Sequence, residues 1–239
     1  MDRPDIIDDM PAADVPDRAG SALDSVQPLR VAAKMGSIVA PNTAAGESLS
    51  GLRNFLIAQH LQMGRRALAI CAPHVGSGCT YLSTNLAMAM AQAGVNTLLI
   101  DGNLRDPGVA DVLTPDREIP GLSDYLANDD DQSPFLVPDA RPNLSIIYAG
   151  TRQSASSELL AKQKLKLLVN ESVRSFDFTI VDCPPSAHFG DARRLASLVR
   201  YAMVVVRRDH SLAADIKTLV KELQSDGVNV VGTFLNILD

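Results

Sequence analysis

Lysine is scarce in these 239 residues: Lys34, Lys162, Lys164, Lys166, Lys217 and Lys221 are the only ones. The net charge is −6 and the isoelectric point near 5.2. That balance excludes a nucleic-acid binder working by bulk positive charge, and no nucleic acid is expected as a partner. No window holds eighteen apolar residues, so no membrane-spanning helix is predicted. The N-terminus, MDRPDIIDDM, places Asp where a secretory signal needs an apolar run. The expected location is therefore cytoplasmic. Three cysteines, Cys71, Cys79 and Cys183, make no disulfide framework. What is present suffices for a core, because 46% of the residues are apolar.

Residues 1–40 carry seven Asp with Pro and Ala and no sustained period. They read as a disordered acidic leader, with a docking segment as the other reading. Residues 41–239 read as a single domain. Apolar positions Leu49, Leu52, Leu56 and Ile57 predict a helix over 47–60. Short apolar strands are predicted at 67–72, 96–101, 144–150, 178–182, 201–206 and 228–236. Helices are predicted over 79–93, 156–173, 191–198 and 212–224. Buried strands alternating with helices imply parallel crossovers and an α/β, doubly wound, mostly parallel sheet of about seven strands, with helices on both faces. Ligands of such sheets sit at the carboxyl ends of the strands.

The first predicted strand runs into Ala72-Pro73-His74-Val75-Gly76-Ser77-Gly78-Cys79-Thr80-Tyr81, a Gly-rich turn before a helix. That is the context of a phosphate-binding loop, in which glycines let amides converge on phosphate oxygens at a helix N-terminus. Gly76, Ser77, Gly78, Cys79, Thr80 and Tyr81 are the candidate nucleotide contacts, and Thr80 is placed to hold Mg²⁺. The lysine such a loop normally carries is replaced by Cys79. Two further strands end in Asp101 and Asp182, acids suited to Mg²⁺ and to positioning a water or hydroxyl.

Together these segments make the chain similar to the bacterial tyrosine kinases of capsule and exopolysaccharide systems, a branch of the P-loop ATPases with a deviant loop. The resemblance spans residues 47–236. It rests on Val75 to Thr80, on Asp101, Asn103, Arg105 and Pro107, on Gly121 to Leu126, and on Asn143 to Gly150 with Glu158 to Leu160. Asp182 to Pro185 and Asp191-Ala192 complete it. It implies ATP and Mg²⁺ as cofactors, with Thr80, Asp101 and Asp182 at the metal and Asp101 and Asp182 as catalytic acids. It also implies homo- or hetero-oligomers. The implied partner is the cytoplasmic segment of a membrane polysaccharide co-polymerase, which would hold the chain at the inner membrane.

Four departures from the pattern bear on activity. The loop lysine is Cys79, the second acid of the D-x-D pair is Asn103, and the oligomer helix keeps Glu47 and Arg53 but has Ser50. The tyrosine cluster of the family's C-terminus has no counterpart, since Tyr81, Tyr125, Tyr148 and Tyr201 all lie within the fold. Loss of one charged hydrogen bond, about 1.5–3 kcal/mol, weakens binding roughly ten- to a hundredfold. Catalysis should suffer more. Arg105 is the better candidate for a replacement cation, since Arg65 and Arg66 sit about 20 Å away along the first strand, and a neighbouring subunit is the other source. Cys79 and Asn103 together remove a cation and an anion, as a degenerate pocket kept for shape would.

The expected function is a catalytically impaired, kinase-like regulatory subunit of exopolysaccharide production or export. An active kinase or ATPase with a displaced cation is the alternative, and a partition-type ATPase acting on DNA or membrane is another. Cys79 at a helix N-terminus predicts a lowered thiol pKa. The spacing of His74, Cys79, Cys183 and His188 fits no standard zinc pattern. Arg193, Arg194, Arg200, Arg207 and Arg208 form a basic run, read as a solvated face or as a patch for an acidic partner or anionic membrane. His60 and His210 read as surface or element-end residues.

Overall fold

The structure, a computed structural model, describes residues 31–33, 40, 42–128, 134–186 and 190–237. The strands are β1 (Val31–Ala33), β2 (Ala67–Cys71), β3 (Thr97–Asp101), β4 (Leu113–Pro115), β5 (Leu136–Arg141), β6 (Leu144–Ile147), β7 (Phe178–Asp182), β8 (Tyr201–Arg207) and β9 (Asn229–Asn236). The α-helices are α1 (Ala44–Gln59), α2 (Cys79–Gln92), α3 (Val109–Val112), α4 (Leu122–Ala127), α5 (Ser156–Leu160), α6 (Gln163–Ser175), α7 (Asp191–Val199) and α8 (Ala213–Ser225).

Seven strands form one sheet in the order β5-β6-β3-β7-β2-β8-β9, parallel except for the edge strand β5. Every residue of β2, β3 and β7 is buried. Both faces of these strands are covered, which is why they read as unbroken apolar runs rather than alternating ones. One face packs on α1 and α2, through Leu56, Leu86 and Met90 with Ile70, Leu99 and Phe178. The other packs on α4 to α8, through Leu122, Leu160, Leu165, Leu195 and Leu219. α2 is buried along most of its length between the sheet and α1, so Ala and Met fill positions that an exposed helix would give to charge.

Four expectations need correction. The helix expected over 156–173 is two helices, because Lys162 is extended (φ −65°, ψ 144°) and breaks the run. The strand β5 lies in a stretch that has no clean alternation, since it is an antiparallel edge with a register shift between Val137 and Arg141. Residues 31–33, inside the expected leader, pair antiparallel with β4. His60 is fully buried, its Nε2 3.1 Å from the Ala67 carbonyl and its ring edge-on to Phe178 and Tyr201. His188, one of the four residues weighed for zinc, lies outside the described residues. No described helix is long and apolar enough to cross a membrane.

Candidate nucleotide site

The segment between β2 and α2 turns on two glycines with positive φ, Gly76 at 75° and Gly78 at 96°. Such values favour glycine, and at Gly78 a Cβ would also lie 2.1 Å from Asn236 Nδ2. The loop is gripped from outside. His210 Nε2 lies 2.9 Å from the Val75 carbonyl, Arg207 Nη1 donates to the Gly76 carbonyl at 3.0 Å, and Asn236 Nδ2 donates to the Ser77 carbonyl at 3.1 Å. His74 Nε2 meets Asp215 Oδ2 of α8 at 2.8 Å. Within the loop, Ser77 Oγ donates to the His74 carbonyl at 2.9 Å. The carbonyls are thus engaged. The amides of Val75, Gly76, Ser77 and Gly78 meet no acceptor among the described residues. Unpaired amides in a glycine turn at a helix N-terminus fit a phosphate group.

A cavity of about 420 Å³ opens on this loop. It is lined by His74 to Tyr81, with Asn103, Arg105, Asp106, Asp111 and Arg152 opposite. Asp101 and Asp182 lie behind it, fully buried and side by side in the β3–β7 register. Thr80 Oγ1 donates to Asp182 Oδ2 at 2.6 Å, and Ser83 Oγ to Oδ1 at 2.9 Å. Burial and then the charge of Asp101 push Asp182 up to about 7, against the pull of these two hydroxyls. Burial likewise raises Asp101 to about 6, although the Val109, Asn103 and Gly108 amides all donate to it. Thr80 with Asp182 is a donor set suited to Mg²⁺. Asp101 chiefly closes the turn that follows β3.

The lysine position does not fit. Cys79 is half-buried at the start of α2, and its thiol pKa is raised well above the ordinary value by burial and by Asp182 and Cys71. The thiol pKa is thus raised rather than lowered as the helix N-terminus suggested, chiefly by desolvation, with the Asp182 carboxyl adding to it. Arg105 lines the cavity, yet its guanidinium is tied to Asp191 Oδ2 (3.3 Å), the Ser154 carbonyl (2.6 Å) and Ser157 Oγ (3.2 Å). Ser156 and Ser157 also donate to Asp191, at 2.5 and 2.6 Å. Asn103 has a role of its own. Its Nδ2 donates to the Asp106 carbonyl at 2.6 Å and its Oδ1 accepts from the Asp106 amide at 3.2 Å. A carboxylate could not make the first of these bonds.

Arg152, paired with Asp106 at 2.7 Å, also borders the cavity and was not expected from the sequence. Nor were Arg207, Asn236 and Asp215 as supports of the loop. Members of the basic run meet different partners. Arg193 makes two 2.7 Å bonds to Asp226, and Arg194 holds the carbonyls of Leu160 and Ala161.

The sheet and its glycine loop define the P-loop ATPase fold. At the level of fold alone, a cell-division ATPase MinD of Pyrococcus furiosus superposes with a TM-score of 0.63 at 24% identity, covering 72% of each chain. No family model matches the chain. Its curated homologues are bacterial tyrosine kinases. The chain is 29% identical over 197 residues to CapB of Staphylococcus aureus, covering 82% of this chain and 86% of CapB. It is 29% identical over 196 residues to the tyrosine-protein kinase Etk of Escherichia coli, covering 82% of this chain but 27% of Etk. The kinase domain of Etk superposes with a TM-score of 0.77 at 27% identity, covering 85% of this chain and 79% of that domain.

Proposed function

We propose that the chain is a kinase-like regulatory subunit of exopolysaccharide production or export, of the capsule, adhesin or holdfast type, with phosphoryl transfer weakened or lost. It acts in the cytoplasm, as a homo- or hetero-oligomer, against the cytoplasmic segment of a membrane polysaccharide co-polymerase. The relatives that carry the kinase name support the system. The observation that carries the impairment is Cys79. A neutral thiol stands where the loop needs a cation, and Arg105, the expected substitute, is bound to Asp191. The glycine cradle, Thr80 and Asp182 fit ATP with Mg²⁺. Bound there, Mg²⁺·ATP would supply a transferable phosphoryl group. The chain's own contribution is then to hold the phosphates by amides and the cation by Thr80 and Asp182.

Calorimetric titration of ATP with Mg²⁺ into the native chain and into Cys79→Lys tests the reading. Native affinity is expected at least tenfold below that of the variant, with no turnover. Native binding equal to the variant, accompanied by ATP hydrolysis, would overturn it. The second reading, an active kinase or ATPase with a displaced cation, draws on Arg105 and Arg152 at the cavity wall. It requires that Arg105→Ala abolish turnover.

A further inference from the structure

A second cleft, of about 430 Å³, lies at the opposite pole of the sheet, at the N-terminal ends of β2 and β8. Its walls carry four arginines from three separate segments. Arg65 and Arg66 precede β2, Arg174 sits in the last turn of α6, and Arg200 joins α7 to β8. None of the four makes an ion pair or a side-chain hydrogen bond with a described residue. Arg65 stacks on the Tyr201 ring, 5.2 Å from its centroid. By contrast, Arg105, Arg152, Arg193, Arg194 and Arg207 all have partners. Four uncompensated cations around one concavity, in a chain of net charge −6, repel one another unless an anion joins them. Two carboxylates stand in the vicinity, Glu171 one turn before Arg174 and Asp177 beside Arg66 in the adjoining groove, and neither pairs with them.

Arg200 adds a second indication. Its φ is +71°, a left-handed value at the C-cap of α7 where glycine is the usual residue. An arginine there is conformationally disfavoured, which a ligand contact would offset.

We propose that this cleft binds an anion carrying two or more phosphate charges, through the guanidinium groups of Arg65, Arg66, Arg174 and Arg200. Guanidinium groups are planar, permanently charged and able to grip phosphate oxygens in pairs, and concavities of this size take small ligands. The site is separate from the glycine loop: the five residues of β2 stand between them, roughly 17 Å of strand. It does not depend on whether ATP is used.

The test uses the full chain at low salt with two probes, pyrophosphate by calorimetry and phosphatidic-acid vesicles by flotation. Because pyrophosphate can also enter the glycine loop, the readout is the binding lost in Arg66→Ala/Arg174→Ala, two exposed positions. Pyrophosphate affinity falling at least tenfold in the double variant assigns a soluble phosphate ligand. Vesicle binding that disappears in the double variant, with no pyrophosphate response, assigns a lipid-borne phosphate. Equal binding by native chain and variant, or binding of neither probe, overturns the proposal. Arg200→Gly gives a check free of folding defects. It should raise the melting temperature while weakening binding several-fold, and unchanged binding would overturn the place of Arg200 in the site.

Discussion

Gly78→Ala is the most informative single change at the glycine loop. The added Cβ meets two costs that the structure separates. The first is conformational, since φ is +96° and a side chain in left-handed backbone costs about 1–2 kcal/mol. The second is steric. The Cβ would sit 2.1 Å from Asn236 Nδ2, so that side chain must leave the Ser77 carbonyl, a loss of about 1 kcal/mol. Together these come to about 2–3 kcal/mol, or a fall of about 5–10 °C in melting temperature for a chain of this size. Asn236→Ala alone should cost about 1–2 kcal/mol, since it leaves that carbonyl without its donor. The two changes share one hydrogen bond, so the double variant should be milder than the sum by about 1 kcal/mol. Thermal or urea denaturation of the four proteins measures this coupling. Additivity within about 0.5 kcal/mol would show that β9 does not latch the loop.

Three further outcomes are expected. Burial, assisted by the charge of Arg65, lowers the pKa of His60, so its stabilisation is present above 6.5 and is lost as pH falls through the lowered folded value. The melting temperature should therefore drop more between pH 7 and pH 5 in the native chain than in His60→Phe, and parallel profiles would refute the assignment. Cys79 should react with iodoacetamide more slowly than a free thiol at pH 8 and accelerate only above pH 9, as mass spectrometry of the native chain would report; fast labelling at pH 7 would contradict the raised thiol pKa. Asp124 accepts from the Gly121 amide (2.8 Å), the Thr151 amide (3.1 Å) and Thr151 Oγ1 (2.7 Å), tying α4 to the segment after β6. Asp124→Ala should cost about 2–4 kcal/mol in urea denaturation, and a loss under 0.5 kcal/mol would mean the clamp is not needed.

The central strands were legible because burial on both faces leaves a run such as Ala67–Cys71 without a polar residue, and because each such run is followed by turn residues. β5 was not legible. An edge strand without clean alternation and with a shifted register, Leu136–Arg141, carries no pattern that distinguishes it from loop. The glycine loop and Thr80 were placed by local sequence alone. The contacts that grip the loop come from Arg207, His210, Asp215 and Asn236, more than 120 residues away in the chain. No local signal marks such residues as part of a site. The same holds for the arginine cleft, whose members looked like unrelated surface charges until the fold gathered them. Arg105 shows the converse: its motif position made it the natural substitute cation, but Asp191, fixed by two serines, fills its coordination.

The place of β2 in the sheet has a consequence for how the chain is made. Its neighbours are β7 and β8, whose partner residues follow Ala67 and Ala69 by more than a hundred positions. Ribosomes add about 5–20 residues per second, so the strand that leads into the glycine loop waits on the order of ten seconds for either flank. Until then Ala67–Cys71 is an apolar strand with two open edges, a natural substrate for chaperones. The loop cannot acquire its outer grip before Asn236, 159 residues beyond Ser77, has emerged. Any nucleotide binding by nascent chains should accordingly appear only after β9 has emerged.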